Sequence, residues 1–236
     1  MCGRFTDTKV DPGLVAARFG VAESAVPGET LGRFNICPTE DVLAITDARE
    51  PKALRWGLIP PWARKLRAGP EPINARSEDA KGKRLFAPLV ADAGHRCLVV
   101  ADGWYEWLRP EHPKGDRIPF RYTVDGGEQF AFAGLWDSNR VGDERIASVT
   151  ILTTRANAVC AAVHDRMPCV LEGPEAEAAW LSGDVDADAA LELLAPLADA
   201  RTAAAPANPA VNRAGVDGPE LIVPPPPAEP AQLRLV

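Results

Sequence analysis

With 236 residues, 46% of them hydrophobic and 25% charged, the chain has the composition of a globular protein able to bury one sizeable core. No run approaches the ~20 apolar residues of a membrane span, and the start lacks the basic segment and apolar stretch of an export signal, so a cytoplasmic protein is expected. The net charge of −7 argues against a general polyanion binder, but it is uneven: residues 52–84 carry nine Lys/Arg against three acids, and residues 171–236 carry three against eleven.

In chain order, a short β-type run at 3–6 is followed by a helical pattern at 11–19 and two further β-type runs at 42–46 and 54–59. A basic, Gly/Pro-containing loop at 64–72 then leads into INARSE (73–78). After a helical pattern at 84–92 come β-type runs at 97–102, 104–108, 119–124, 130–136 and 146–154. Helical patterns close the sequence at 156–163, 174–182, where Pro174 suits a first turn, and 186–196. The class expected is α+β: a mainly antiparallel, β-barrel-like core with flanking helices. One domain over 1–223 is expected, with a Pro-rich tail over 224–236 that is extended or disordered and carries no catalysis. A monomer is expected.

The five cysteines (2, 37, 97, 160 and 169) are odd in number and contain no C-x-x-C pair, which argues against a disulfide framework and a zinc knuckle. Nothing calls for a metal or a cofactor. Four of the thiols read as small core hydrophobes, but Cys2 asks for another account. Removal of Met1 would leave an α-amine and a thiol on one residue. An α-amine, with a pKa of about 7.7–8.0 against about 10.4 for lysine, is partly unprotonated near neutral pH and can condense with an aldehyde. The neighbouring thiol can then close a five-membered thiazolidine intramolecularly. The thiolate alone can instead attack an acyl group, as in an N-terminal cysteine peptidase or amidase, or Cys2 can merely begin an edge strand.

Three segments bear on that choice. ADGWYEW (101–107) sets Glu106 between Trp104 and Trp107, where loss of solvation raises a carboxyl pKa and suits a proton shuttle. AAVHDRMP (161–168) supplies His164, whose charge can change near neutral pH. PINARS (72–77) supplies Asn74, both donor and acceptor, and Arg76, a phosphate partner. Each also has a structural reading, as an outward strand residue, a helix C-terminal residue and a turn former respectively.

Taken in order, MCGRF, FNICPTE (34–40), RWGLIPPWA (55–63), INARSE, RCLVVADGWYEW (96–107), FAFAGLW (130–136), LTT (152–154), HDRMP (164–168) and VNRAGVDGPELI (211–222) closely resemble the blocks of the SRAP family, the SOS-response-associated peptidases. The resemblance spans residue 2 to about 222. It implies recognition of abasic sites in single-stranded DNA and a covalent thiazolidine link from the processed Cys2 to the deoxyribose aldehyde. By motif, Cys2 is the nucleophile, Asn74 orients sugar and cysteine, and Glu106 and His164 move protons. Arg4, Asn35, Trp62, Arg76, Thr154 and Arg166 are expected along the DNA path. The family name also implies peptidase chemistry, chiefly autoproteolytic loss of residue 1. An N-terminal cysteine peptidase or amidase, and a non-covalent single-strand-binding module, stand as alternatives. Cys37 and Glu40 depart from the alanine and glutamine typical of FNICPTE, as does Val100 from proline, and Cys37 is a second thiol able to compete with Cys2.

Overall fold

The computed structural model describes residues 2–67, 69, 71–108 and 117–224; the tail from 225 onward and part of the basic loop lie outside them. Among the described residues there are twelve strands: β1 (Arg4–Asp7), β2 (Arg33–Ile36), β3 (Asp41–Thr46), β4 (Pro51–Trp56), β5 (Asn74–Arg76), β6 (Arg96–Ala101), β7 (Gly103–Leu108), β8 (Ile118–Val124), β9 (Phe130–Val141), β10 (Glu144–Arg155), β11 (Arg166–Pro168) and β12 (Thr202–Pro206).

Five of them close on themselves. β3 pairs with β4, β4 with β10, β10 with β9, β9 with β6, and β6 with β3, making a barrel in which only the β4–β10 contact is parallel. Closure removes the free edges that such apolar strands would otherwise expose. The other large unit is an antiparallel sheet in the order β12-β8-β7-β1-β2. The expected α+β class with a barrel-like core is therefore what the chain forms.

Alternation along the barrel strands divides the interior in two. Leu43, Ile45, Leu98, Val100, Ala131, Ala133 and Leu135 pack against the helices Pro12–Phe19, Ala87–Ala91, Pro174–Leu181 and Ala187–Glu192. Their strand neighbours Val42, Ala44, Cys97, Val99 and Phe132 pack instead with Phe5, Trp104 and Tyr122 of the antiparallel sheet. Gly134 lies where barrel strands approach closely: a Cβ there would stand 2.7 Å from Cys97 Sγ. Arg96 is wholly buried and donates to the carbonyls of Val90, Trp180, Ser182 and Val185, tying the helices to the barrel.

The helices are shorter than their patterns, with 186–196 reduced to Ala187–Glu192 and 156–163 to Ala158–Ala161. The first is bounded as its residues dictate. Asp11 accepts from the Gly13 amide, Pro12 opens the first turn, and Gly20 ends it at φ 66°. β10 runs beyond the barrel, and there it carries β5 on one side in parallel and β11 on the other antiparallel. That extension positions the site.

Candidate active site

Cys2 lies just before β1, which is held against β7 with Phe5 opposite Trp104. Its side chain is wholly buried, and its thiol donates to the Arg4 carbonyl at 3.6 Å. The Cys2 carbonyl accepts from Asn74 Nδ2 at 2.7 Å. Asn74 owes its place to parallel pairing with β10, where it stands opposite Ile151. Its Oδ1 is buried without a hydrogen-bond partner among the described residues, so one amide group pins the cysteine and offers an acceptor beside it.

Glu106 projects from β7 and is 3% exposed. Burial pushes its carboxyl up to about 7. Burial, and then the Glu106 charge, hold the Cys2 thiol well above the usual thiol range. The desolvation expected from two flanking tryptophans comes from one. Trp104 shares the Glu106 face and stacks on Tyr122 at 5.2 Å, whereas Trp107 points to the other face with Tyr105, 6.4 Å between ring centroids. There Trp107 is half-buried, and its indole donates to Asn212.

His164 stands in the loop between the helix Ala158–Ala161 and β11. That helix is capped by Asn157, whose Oδ1 accepts from the Cys160 amide. His164 Nδ1 is 3.0 Å from both the Arg166 amide and Asp165 Oδ1. These two contacts ask for opposite states of Nδ1. The amide is always a donor and the Asp165 side chain is 86% exposed, so in the backbone contact Nδ1 is the acceptor. Cys160 joins this group of residues: burial, then the Glu106 charge, push its thiol up to about 12. Sequence reading took it as a core residue, which its burial also makes it; nothing in its spacing marks its nearness to Glu106.

The six residues expected on a DNA path divide by exposure. Arg76 is exposed on β5, and Trp62 is 49% exposed with the Arg84 guanidinium 5.1 Å from its ring. Arg4 is half-buried and donates to Asn35 Oδ1 and to the Val211 carbonyl. Asn35 is buried, and its amide holds the Arg213 and Val216 carbonyls. Thr154 is buried on β10. Arg166 is buried as well, forked onto Glu78 by two 2.8 Å bonds and bonded to the Thr153 carbonyl. Glu78, quoted in INARSE without a role, is the partner that sequence reading missed, and the Arg166 guanidinium holds its carboxyl below the usual range. Exposed Arg64, Lys65, Arg67, Lys83 and Arg84 surround Trp62 in the chain and keep that surface basic. Cys37 donates to the Asn35 carbonyl at 3.3 Å, and Glu40 accepts from the Cys37 amide while pairing with Arg33.

All five cysteines are free and buried. Among the described residues no group of three His, Cys, Asp or Glu side chains is arranged to hold a metal, and no helix is long and apolar enough to cross a membrane.

Comparison with known proteins places this arrangement. The family model described as SOS response associated peptidase (SRAP) matches residues 1–214. The abasic site processing protein YoqW of Bacillus subtilis is 36% identical over 229 residues, covering 94% of this chain and 99% of that one. The abasic site processing protein YedK of Escherichia coli is 33% identical over 202 residues, covering 83% and 86%. Among solved structures, a protein from Bacteroides thetaiotaomicron matches with a TM-score of 0.80 at 23% identity, over 94% of this chain and 98% of that one. One from Bordetella bronchiseptica matches at 0.70 and 28% identity, over 88% and 100%.

Proposed function

This chain belongs to the SOS response associated peptidase family, and on that premise we propose that it processes abasic sites in single-stranded DNA by joining itself to the exposed sugar aldehyde through Cys2. The observation that carries the reading is the convergence on one residue. Asn74 fixes the Cys2 carbonyl at 2.7 Å, and the charge of Glu106 bears on the Cys2 thiol.

The chemistry follows from that residue once Met1 is lost. The α-amine adds to the aldehyde carbon, and the carbinolamine expels water to leave an imine. The sulfur then adds to the same carbon while the thiol proton passes to the nitrogen, closing a thiazolidine with a net loss of one water. Opening the sugar and expelling water both need an acid close by. Glu106, with its carboxyl pushed to about 7, holds a proton near neutral pH for this. His164, whose Nδ1 accepts from the Arg166 amide, is a second proton carrier, suited to reversal. Asn74 Oδ1 is the acceptor for the amine or for a sugar hydroxyl.

A buried Cys2 supports the single-stranded part of the proposal: the abasic sugar must leave the stack to reach the thiol, and an unpaired strand does so most easily. Arg76 and Trp62 are exposed for a phosphate and a base, and the surface around them is basic. Autoproteolytic loss of Met1 is the peptidase step of this reading, and the domain extends to residue 223. A peptidase built on a pre-formed thiolate is disfavoured, because the thiol is held protonated and donates to the Arg4 carbonyl.

A denaturing gel of the protein with an abasic single strand tests the proposal. A heat-stable, slow-migrating band is expected with abasic strand and not with the same strand intact. Absence of that band under conditions where the protein binds the strand would overturn it.

A further inference from the structure

On the sheet face that carries Glu106, the Tyr122 hydroxyl and the Trp104 indole N–H are both buried without a hydrogen-bond partner among the described residues. Tyr122 on β8 is wholly buried, and its hydroxyl makes no hydrogen bond among the described residues. Such a hydroxyl lowers stability, and phenylalanine would fill the same space without that penalty. The ring cannot easily turn away, because it stacks on Trp104 at 5.2 Å with 15° between planes. β8 pairs with β7 so that Tyr122 lies opposite Trp104, and Phe120 opposite Glu106. Residues two apart on a strand share a face, which makes Tyr122 the diagonal cross-strand neighbour of Glu106. Burial first, and then the neighbouring Cys160 and Glu106, hold the hydroxyl's ionisation well above the usual tyrosine range.

We infer that Tyr122 is a positioning residue for Glu106: held by Trp104 on the shared face, its hydroxyl donates to the Glu106 carboxylate once that group has passed its proton to the sugar. The inference rests on the proposed role of Glu106 in adduct formation. The tyrosine keeps its own proton throughout, so the step adds a hydrogen bond and transfers nothing. Two charges act on Glu106, those of the chain's amino terminus and Asp165, and the protonated thiols of Cys2 and Cys160 feel its own. None of these offers what Tyr122 does, a neutral donor fixed by an aromatic stack. A bond to the ionised form favours ionisation, so losing it moves the Glu106 midpoint up.

The test is an infrared titration of the Glu106 carboxyl band in the free protein, assigned by subtracting Glu106→Gln, alongside the pH profile of adduct formation and a thermal melt. In Tyr122→Phe the band midpoint and the falling limb of the rate profile are expected to rise together by about one pH unit, while the melting temperature stays equal or rises. An unmoved midpoint in a protein as stable as wild type would overturn the inference, leaving the hydroxyl a core passenger. Replacing Tyr122, the one tyrosine left in a Tyr105→Phe background, with 3-fluorotyrosine strengthens the donor and is expected to lower the midpoint; no movement there also overturns it. A wild-type protein that forms no adduct removes the reading of Glu106 instead, and the infrared midpoint separates the two failures.

Discussion

At the scale of single residues, the account turns on Cys2 and Glu106 having separate tasks. Cys2→Ala is expected to abolish the heat-stable adduct while changing affinity for an intact single strand by less than about 3-fold, since the exposed contacts lie on Arg76 and Trp62. Gel and binding titrations check this, and a persistent adduct would show that Cys2 is not the linking residue. Adduct formation should follow a bell in pH: it rises as the α-amine loses its proton near about 7.7–8.0 and falls as Glu106 loses its own at about 7. Glu106→Gln is expected to slow formation roughly 10-fold or more and to remove the falling limb, whereas His164→Ala should chiefly change reversal, read by chase with fresh abasic strand. Equal rates for Glu106→Gln and wild type would transfer the acid role to His164. The sequence placed these residues by motif, but its reason for a shifted Glu106 was only half right. Trp107 sits across the strand from Glu106, so the burial that shifts the carboxyl does not come from that indole.

The elements show the same division between what a pattern carries and what it does not. Four of the barrel strands were legible as runs of apolar residues ended by turn formers, whereas β4, Pro-Lys-Ala-Leu-Arg-Trp, begins three residues before the run expected at 54–59. β2, β5, β11 and β12 were not legible. β5 and β11 are three residues long, β11 contains Arg166 and Pro168, and β12 is Thr-Ala-Ala-Ala-Pro, so none has a period to detect. β5, β11 and β12 exist because a longer neighbour, β10 or β8, offers a ladder to join, while β2 pairs with β1, four residues long like itself. The glycine of ADGWYEW shows how tightly those ladders pack. A Cβ at Gly103 would stand 2.8 Å from the Tyr122 carbonyl and 2.9 Å from the Arg121 guanidinium. Gly103→Ala is expected to destabilise the protein by about 1–3 kcal/mol through overpacking, lowering the melting temperature by roughly 2–10 °C. An unchanged melt would mean that β7 and β8 separate without loss.

For the molecule as a whole, the uneven charge and the buried acids make salt and pH the informative variables. Binding to single strands should weaken as salt rises, and Arg76→Ala should reduce the log–log slope by about 0.7, one phosphate's worth. An unchanged slope would take Arg76 off the phosphate path. Asp7 dominates the pH response of stability away from the site. It is buried, the Asp102 charge disfavours its ionisation, and only one oxygen is bonded, to Gln129. Burial pushes its carboxyl from 3.8 to about 7. The folded state therefore holds a proton that the unfolded state has lost, so stability is greatest below about 4 and declines as pH climbs through about 7. Asp7→Asn should flatten that decline in denaturant titrations; a decline of equal depth in the variant would assign it to other groups, Glu106 first. These properties all serve one claim, that Cys2 becomes the N-terminus and bonds to the abasic sugar. Intact-mass measurement of the purified adduct tests it most directly: the predicted mass is the chain without Met1 plus the abasic strand minus one water, absent from Cys2→Ala, and an adduct that retains Met1, or one formed equally by Cys2→Ala, would contradict it.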